Sequence, residues 1–321
     1  MKDFRGKIAV VTGGGTGMGR ELARRLVAEG CHVATCDIIE ENLAETLKLC
    51  EAEAPDGVVA TAHRCDVADE EQVLALRDEV QDRHRTGHIN LLFNNAGIGG
   101  GGSFVESSRE EWERTFDISW KGVYYFTRAF MPMLLQSSEG HIVNTSSVNG
   151  FRAALGENTP HTAYSAAKFA VKGFSEALIN DFRFNAPHLK VSVVMPGHVG
   201  SHIAINTMRI LGHGEPKDWP DEMIDRIRAR WKKEGNPLAE LDGDRIRAAI
   251  QQQFEDFPNA PLSPAQAAEI ILQGVKDEQW RILVGKDAEA LDRAVRKAPL
   301  RAYDLDFGEL VKAQWEETGE E

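Results

Sequence analysis

The chain has 321 residues, of which 50 are acidic and 37 are basic, and its formal net charge is −13 at pH 7. This acidic composition disfavours nucleic acid and anionic membrane surfaces as partners. No apolar run approaches the roughly eighteen residues that span a bilayer, and residues 1–7 lack the apolar core of a signal peptide. We therefore expect a soluble, cytoplasmic protein.

The first predicted element is a strand at 8–11, which is followed by a glycine-rich turn and an amphipathic helix at 20–29. A glycine cluster alone is also typical of an ordinary loop. In this context, however, Gly13 would permit the turn, Gly17 would let the backbone approach a pyrophosphate, and Gly19 would let the helix pack on the strand. Free N–H groups at the helix start would bind the phosphates, so the segment indicates a dinucleotide site.

Asp37 ends the next predicted strand, 33–36, about twenty residues after the glycines. A carboxylate at this place can accept hydrogen bonds from both hydroxyls of an adenosine ribose, and it repels a 2′-phosphate. Ile38 follows it, and the turn contains no basic residue before Arg20. The sequence therefore predicts NAD and not NADP as cofactor, although a solvated carboxylate at a strand end is the simpler alternative.

Strands and helices alternate along the rest of the chain. Further strands are predicted at 58–64, 89–93, 141–145, 190–195 and 281–284. Helices are predicted at 40–53, 69–84, 109–136 with a bend near 117–122, 162–185 and 264–274. Strands that alternate with crossover helices predict an α/β protein with a Rossmann-type, doubly wound parallel sheet of about seven strands. Its ligands should bind at the carboxyl ends of the strands.

Two regions depart from this alternation. Within a single domain at 1–286, residues 198–261 form a long insertion before the last crossover, with helical patches at 222–233 and 244–254, and we expect a lid or substrate loop there. Residues 287–321 form a C-terminal extension that is amphipathic at 290–295. Its aromatic residues Tyr303, Phe307 and Trp315 should pack on this subunit or a neighbour, and 316–321 should fray.

Four cysteines, Cys31, Cys36, Cys50 and Cys65, lie in predicted strands or helices without paired metal-ligand spacing. In a reducing compartment we expect them to be small buried hydrophobes, and we expect no metal site.

Tyr164 and Lys168 lie four residues apart, on one face of a predicted helix. A lysine cation held near a phenol stabilises the phenolate and lowers its pKa from about 10, which makes the tyrosine a usable general acid or base. Pairs at this spacing are also common on helix surfaces. Ser147 ends the preceding strand, where its hydroxyl could bind a substrate oxygen together with Tyr164, although a serine there could equally cap a turn.

The glycine turn, Asn94-Asn95-Ala96-Gly97, Ser147, Tyr164 with Lys168, and Pro196-Gly197, in this order, resemble the classical short-chain dehydrogenase/reductase family over about 6–284. The resemblance implies a Rossmann-type fold, a nicotinamide cofactor and a homodimer or homotetramer. It also implies that Asn94 ties neighbouring strands together.

Position by position, the resemblance implies that Tyr164 exchanges a proton with the substrate oxygen and that Ser147 orients this oxygen. Lys168 would bind the nicotinamide ribose and lower the pKa of Tyr164. The residues implied to contact the cofactor are Gly13, Gly15, Thr16, Gly17, Met18, Gly19, Asp37, Ile38, Asp66, Val67, Asn95, Ala96, Gly97, Tyr164, Lys168, Pro196, Gly197, Val199 and Ser201.

Three features depart from the family pattern. Ser119 stands where an Asn usually holds a water that links the lysine to solvent. Because serine has a shorter side chain, either an added water completes this proton relay through Ser119 or the proton leaves by a different path. Residues 156–161 look like an added loop that should border the substrate. Ser201 replaces a more usual Thr and keeps the hydroxyl.

Apolar residues near the expected site favour a medium or bulky apolar secondary alcohol or ketone as substrate. They are Ile203, Ile205, Met208, Ile210, Leu211, Trp219, Trp231, Phe151 and Ala153, although apolar residues in helices more often form core than line a pocket. His161 and His198 also lie nearby in sequence and could contact the substrate, but we expect both to be surface residues.

The leading hypothesis is an NAD-dependent oxidoreductase that interconverts a secondary alcohol and a ketone, with Tyr164 as general acid and base. A catalytically impaired NAD-binding sensor or scaffold is the alternative. A methyltransferase would also begin with a glycine-rich turn, but it leaves Tyr164 and Lys168 unexplained.

Overall fold

The computed structural model describes residues 1–154 and 159–316, and within them the chain forms one seven-stranded parallel sheet. Its strands are β1 (Ile8–Thr12), β2 (His32–Asp37), β3 (Ala60–Arg64), β4 (Leu91–Asn94), β5 (Gly140–Thr145), β6 (Leu189–Pro196) and β7 (Arg281–Val284). Their order in the sheet is β3-β2-β1-β4-β5-β6-β7. This arrangement confirms the doubly wound, Rossmann-type sheet that the sequence predicts.

Twelve α-helices accompany the sheet in the same described residues. They are α1 (Gly17–Ala28), α2 (Glu40–Glu53), α3 (Glu70–His84), α4 (Arg109–Phe116), α5 (Gly122–Leu135), α6 (Thr162–Asn185), α7 (Ile203–Ile210), α8 (Asp221–Lys233), α9 (Gly243–Asp256), α10 (Pro264–Lys276), α11 (Lys286–Lys297) and α12 (Phe307–Glu316). The bend expected near 117–122 is a π-helical turn, Asp117–Lys121, between α4 and α5.

Each face of the sheet carries its own apolar core. Leu22 and Leu26 of α1 are fully buried against one face, and Phe126 and Phe130 of α5 are fully buried against the other. Burying one such side chain contributes about 1.5–3 kcal/mol, so the two cores hold the crossover helices firmly on the sheet. The central strands are buried because both of their faces are covered; all five residues of β1 are buried.

The insertion has a small core of its own, formed by Trp219, Ile224, Ile246 and Ile250. Met208 and Trp231 pack against this core. The expectation that Trp219, Met208 and Trp231 line a substrate pocket is therefore wrong, because these side chains hold α7, α8 and α9 together instead.

The C-terminal extension packs on its own chain. Phe307 of α12 is fully buried beside Ala294 and Ala302. Arg152, five residues beyond Ser147, donates a hydrogen bond to the carbonyl oxygen of Ala302 and covers the Phe307 ring. The extension thereby supports the backbone that follows Ser147.

All four cysteines are buried free thiols, as the sequence predicts. In the described residues, no helix combines the length and apolarity needed to cross a membrane. Residues 156–158 of the expected added loop and 317–321 of the expected frayed end lie outside the described residues.

Candidate active site

A groove opens at the carboxyl ends of the strands where the order reverses between β1 and β4. Many of the expected cofactor residues line it: Gly13, Thr16, Gly17, Met18, Asp37, Ile38, Asp66, Val67, Asn95, Ala96, Gly97 and Ser201. The wall also includes Ile39, Cys65, Ile98, Arg114, Ile118, Ile203, Asn206 and Ile210. Of this second group, sequence reasoning placed only Ile203 and Ile210 near a ligand.

The glycine turn depends on the absence of side chains at two positions. Gly13 has a φ of +66°, and a Cβ added there would lie 2.8 Å from the Cα of Ala96. A Cβ at Gly19 would lie 2.1 Å from the carbonyl oxygen of Gly13, so Gly19 lets α1 approach the turn. Within the described residues, the Thr16 side chain accepts no hydrogen bond from the first turn of α1. The N–H groups of that turn are thus left for an anionic ligand.

Asp37 is fixed at the end of β2 by two backbone donors. Its Oδ2 accepts the Gly15 N–H at 2.9 Å, and its Oδ1 accepts the Ile39 N–H at 3.0 Å. A Cβ at Gly15 would lie 2.7 Å from this carboxylate, so the glycine makes room for it. The carboxylate therefore stands preoriented in the groove wall, where a ribose would meet it.

At the far side of the groove, Arg114 donates a hydrogen bond of 2.6 Å to Asp66 Oδ2. Sequence reasoning missed Arg114, because nothing in the spacing between α4 and the end of β3 signals this pair. The ion pair orients Asp66 at the position where the family resemblance implies an adenine ring.

Ser147, Tyr164 and Lys168 come together at the ends of β5 and α6. Ser147 accepts the Asn149 N–H at 3.1 Å and so caps a short 3-10 turn, Val148–Gly150. Its side chain also lies close enough to the Tyr164 hydroxyl to lower the pKa of that phenol. Lys168 Nζ lies 5.3 Å from the centre of the Tyr164 ring and donates to the Thr145 carbonyl oxygen at 2.8 Å. Ser147 thus caps a turn, and its role toward a substrate oxygen stays a prediction.

The electrostatics of this group differ from the expectation. Burial raises the pKa of Tyr164, and the hydrogen bond from Ser147 acts in the opposite direction. Burial also lowers the pKa of Lys168 to about 8. The expected lowering of the Tyr164 pKa by Lys168 is not what this arrangement gives, because desolvation outweighs it and the ammonium is directed at Thr145.

Ser119 lies in the π-helical turn, fully buried, and donates to the Ile98 carbonyl oxygen at 3.3 Å. A Cβ added at Gly97 would lie 3.3 Å from Lys168 Nζ and 3.7 Å from Ser119 Oγ, so both side chains reach the same stretch of backbone. Asn94 Nδ2 donates to Asn144 Oδ1 at 2.8 Å and ties β4 to β5, as the resemblance implies.

Four residues at the end of β6 and just after it were expected to contact the cofactor: Pro196, Gly197, Val199 and Ser201. Of these, Ser201 lines the groove and lies against Gly17. Gly197 instead faces the carboxylate of Asp287, which accepts the His198 N–H at 2.6 Å. Pro196 ends β6, and Val199 is buried and forms an isolated bridge with Leu262.

The two histidines behave differently from each other. His198 is exposed, as expected, and packs against Phe257 with ring centres 4.8 Å apart. The expectation of a surface residue is wrong for His161, because its ring is half-buried and stacks on Tyr164 at 4.7 Å between ring centres. Its Nε2 lies 2.7 Å from the Gly99 carbonyl oxygen.

Comparison with known proteins identifies relatives of this architecture. The sequence model for short chain dehydrogenases matches residues 7–209. A Mycobacterium tuberculosis protein named as an oxidoreductase, SadH, is 35% identical over 92% of this chain and 92% of its own. The meso-2,3-butanediol dehydrogenase of Serratia marcescens is 32% identical over 71% of this chain and 80% of its own.

Two solved structures show the same fold with different cofactors. A short chain dehydrogenase/reductase from Burkholderia phymatum, in complex with NAD, has a TM-score of 0.73 and 28% identity and covers 94% of this chain and 96% of its own. A metagenomic short-chain oxidoreductase in complex with NADP has a TM-score of 0.53 and 30% identity over 60% of this chain and 83% of its own.

Proposed function

The chain belongs to the short chain dehydrogenase family of oxidoreductases, and on that premise we propose that it interconverts a secondary alcohol and a ketone with NAD as cofactor. The observation that carries this proposal is the convergence of Ser147, Tyr164 and a buried Lys168, whose Nζ lies 5.3 Å from the centre of the Tyr164 ring. Two hydroxyls at one point can bind a single substrate oxygen. The name of the Serratia relative, a butanediol dehydrogenase, supports an alcohol of this kind.

The residues of the groove fit a dinucleotide. Gly13 and Gly17 bend the turn with positive φ, and the first N–H groups of α1 face the place where a pyrophosphate would lie. Asn95 Oδ1 is a buried acceptor without a partner in the described residues, and it is available to a ligand donor. When bound, NAD supplies the ring that takes up the electron pair from the alcohol carbon.

The catalytic residues then have distinct tasks. Tyr164 Oη accepts the proton of the substrate hydroxyl during oxidation and returns it during reduction. Ser147 donates to the substrate oxygen and orients it. Lys168 holds the nicotinamide ribose. Ser119 serves the path by which the proton leaves Lys168.

We assign NAD and not NADP on the basis of Asp37. Relatives with either cofactor exist among the solved structures, so the fold does not decide the choice. The Asp37 carboxylate is held toward the groove by Gly15 and Ile39, and it would repel a 2′-phosphate at close range. Pro196, Gly197, Val199 and Ser201 are assigned to the nicotinamide end by the resemblance.

The substrate class and the assembly complete the proposal. The apolar residues that lie near the catalytic residues in the sequence, such as Phe151 and Ala153, favour an apolar substrate. Tyr124 of α5 and Phe169 of α6 are exposed aromatic residues on neighbouring crossover helices. The family resemblance implies a homodimer or homotetramer, and we assign one of these assemblies.

The direct test mixes the purified protein with NAD and a panel of apolar secondary alcohols, and follows the absorbance of the reduced nicotinamide. Wild type should turn over, and Tyr164→Phe should abolish turnover while retaining NAD. Tyr124→Phe, which alters an exposed tyrosine on α5, is the matched control and should retain activity. NAD binding without turnover of any alcohol or ketone would instead favour the sensor or scaffold.

A further inference from the structure

A run of glycines after β4 is pressed between three helices. We call residues 97–102 the glycine strap. A Cβ added at Gly100 would lie 2.6 Å from both Thr115 Oγ1 of α4 and Leu211 Cδ1, just after α7. Gly101 has a φ of +62°, and a Cβ there would lie 2.5 Å from the Cβ of Ala163 in α6. The strap thus needs glycine at these positions because neighbouring elements occupy the space of a side chain.

His161 connects the strap to the catalytic tyrosine. Its ring stacks on that of Tyr164 with 4.7 Å between centres and 27° between planes. Its Nε2 lies 2.7 Å from the Gly99 carbonyl oxygen, which can only accept, so the proton is on Nε2. Burial lowers the pKa of His161, so the ring is neutral at neutral pH. The described residues offer no hydrogen-bond partner to its buried Nδ1.

The same glycine binds α7. The Gly99 N–H donates to Thr207 Oγ1 at 2.9 Å. The neighbouring residue, Asn206, donates from Nδ2 to Thr16 Oγ1 of the glycine turn at 3.1 Å. Two adjacent residues of α7 therefore bind the glycine turn and the glycine strap, and one of them reaches Tyr164 through Gly99 and His161.

We propose that His161 is a positioning residue that couples the placement of α7 over the groove to the orientation of Tyr164. The inference rests on the proposed function, since it gives Tyr164 its catalytic task. While Thr207 accepts the Gly99 N–H, the strap keeps the His161 ring stacked on the phenol and so fixes the orientation of Tyr164 beside Ser147. If α7 moves away, Gly99 loses its acceptor and the stack loosens. Turnover should respond more than cofactor affinity.

Two variants break the connection at different points. Thr207→Val keeps the shape of the side chain and removes the acceptor, and His161→Phe keeps a ring for stacking and removes the donor. The loss of one hydrogen bond from the linked contacts between Thr207 and Tyr164 should lower kcat by up to about tenfold. The Kd for NAD should change less than about twofold. Thr207→Ser retains the hydroxyl and should keep wild-type kcat.

The double variant tests whether the two residues act through one connection. If they do, Thr207→Val together with His161→Phe should lose no more kcat than the more damaging single change. If the fold-loss of kcat in the double variant equals the product of the two single losses, the two residues act independently, and the coupling is refuted. Unchanged kcat in both single variants would overturn it as well.

Titration of the phenol gives a readout that does not depend on turnover. The alkaline absorbance change of Tyr164 is obtained as the difference between each protein and its Tyr164→Phe counterpart. Because burial raises the pKa of Tyr164, loosening the stack should lower its titration midpoint in both single variants. If the Tyr164 midpoint falls in both variants but the wild type turns over no alcohol, the proposed function is refuted and the positioning role of His161 is supported. Unchanged midpoints would refute the positioning role.

Discussion

Replacing Asp37 with Asn should weaken NAD binding and reduce the preference for NAD over NADP. Asn has the shape of Asp but carries no charge, and one of its two polar atoms is a donor. The carboxylate oxygens now accept the Gly15 and Ile39 N–H groups. The NH₂ group of Asn would face one of these donors, so the variant loses both the charge and part of this anchoring.

The magnitude follows from the hydrogen bonds that a ribose would make. A hydrogen bond to a charged group contributes about 1.5–3 kcal/mol, so the Kd for NAD should rise by about 10- to 150-fold. NADP gains in comparison, since two unit charges 4 Å apart repel by about 4 kcal/mol at an effective dielectric constant near 20. The ratio of the Kd for NADP to the Kd for NAD should therefore fall at least about tenfold.

Calorimetric titration with each cofactor measures this ratio. Glu41→Gln is the matched control, because Glu41 lies near Asp37 in sequence but is exposed and paired with Arg209 at 3.4 Å. Both variants lose one negative charge, so an effect of overall charge alone would change the Kd ratio in both. A ratio that stays within about twofold in Asp37→Asn, or that moves equally in Glu41→Gln, would refute the role of Asp37.

Three further changes test separate parts of the site. Gly19→Ala should abolish NAD binding and lower the melting temperature, because its Cβ would lie 2.1 Å from the Gly13 carbonyl oxygen; normal NAD affinity by calorimetry would contradict this. Ser119→Ala should slow turnover if Ser119 serves the proton path, and undiminished turnover across pH would exclude that role. Burial lowers the pKa of Lys168 from 10.5 to about 8, so between these pH values the unfolded chain binds more protons at this residue. Between pH 8 and 10.5 the free energy of unfolding of the wild type should therefore rise by about 3 kcal/mol relative to that of Lys168→Met. The same pH dependence of the free energy of unfolding in both proteins would contradict this.

The sequence predicts the sheet and its crossovers because their signals are local. The helix at Thr162–Asn185 has the predicted bounds, since Pro160 precedes it and Pro187 prevents its continuation. Helix α7 was missed because its eight residues are apolar on several sides and show no clear period. Helix α12 was missed because its stability depends on burying Phe307 against residues far along the chain.

The candidate site was predictable where motif order carries the signal. Ser147, Tyr164 and Lys168 come together as their spacing suggests. The direction of Lys168 Nζ was not predictable, because Nζ donates to the backbone carbonyl oxygen of Thr145. Every residue has a backbone carbonyl, so the sequence does not show which one the lysine binds. His161 was misassigned because its burial comes from the glycine strap, and the run of glycines at 99–102 is the signal that could have indicated it.

The central claim is that this protein moves hydrogen between an alcohol carbon and a nicotinamide with Tyr164 handling the proton. A secondary alcohol that carries deuterium on the carbinol carbon tests it most directly, with the label in the recovered cofactor measured by mass spectrometry. Deuterium should appear in the reduced nicotinamide with wild type and be absent with Tyr164→Phe. Turnover of the alcohol that leaves the cofactor unlabelled, or equal labelling by both proteins, would contradict the account.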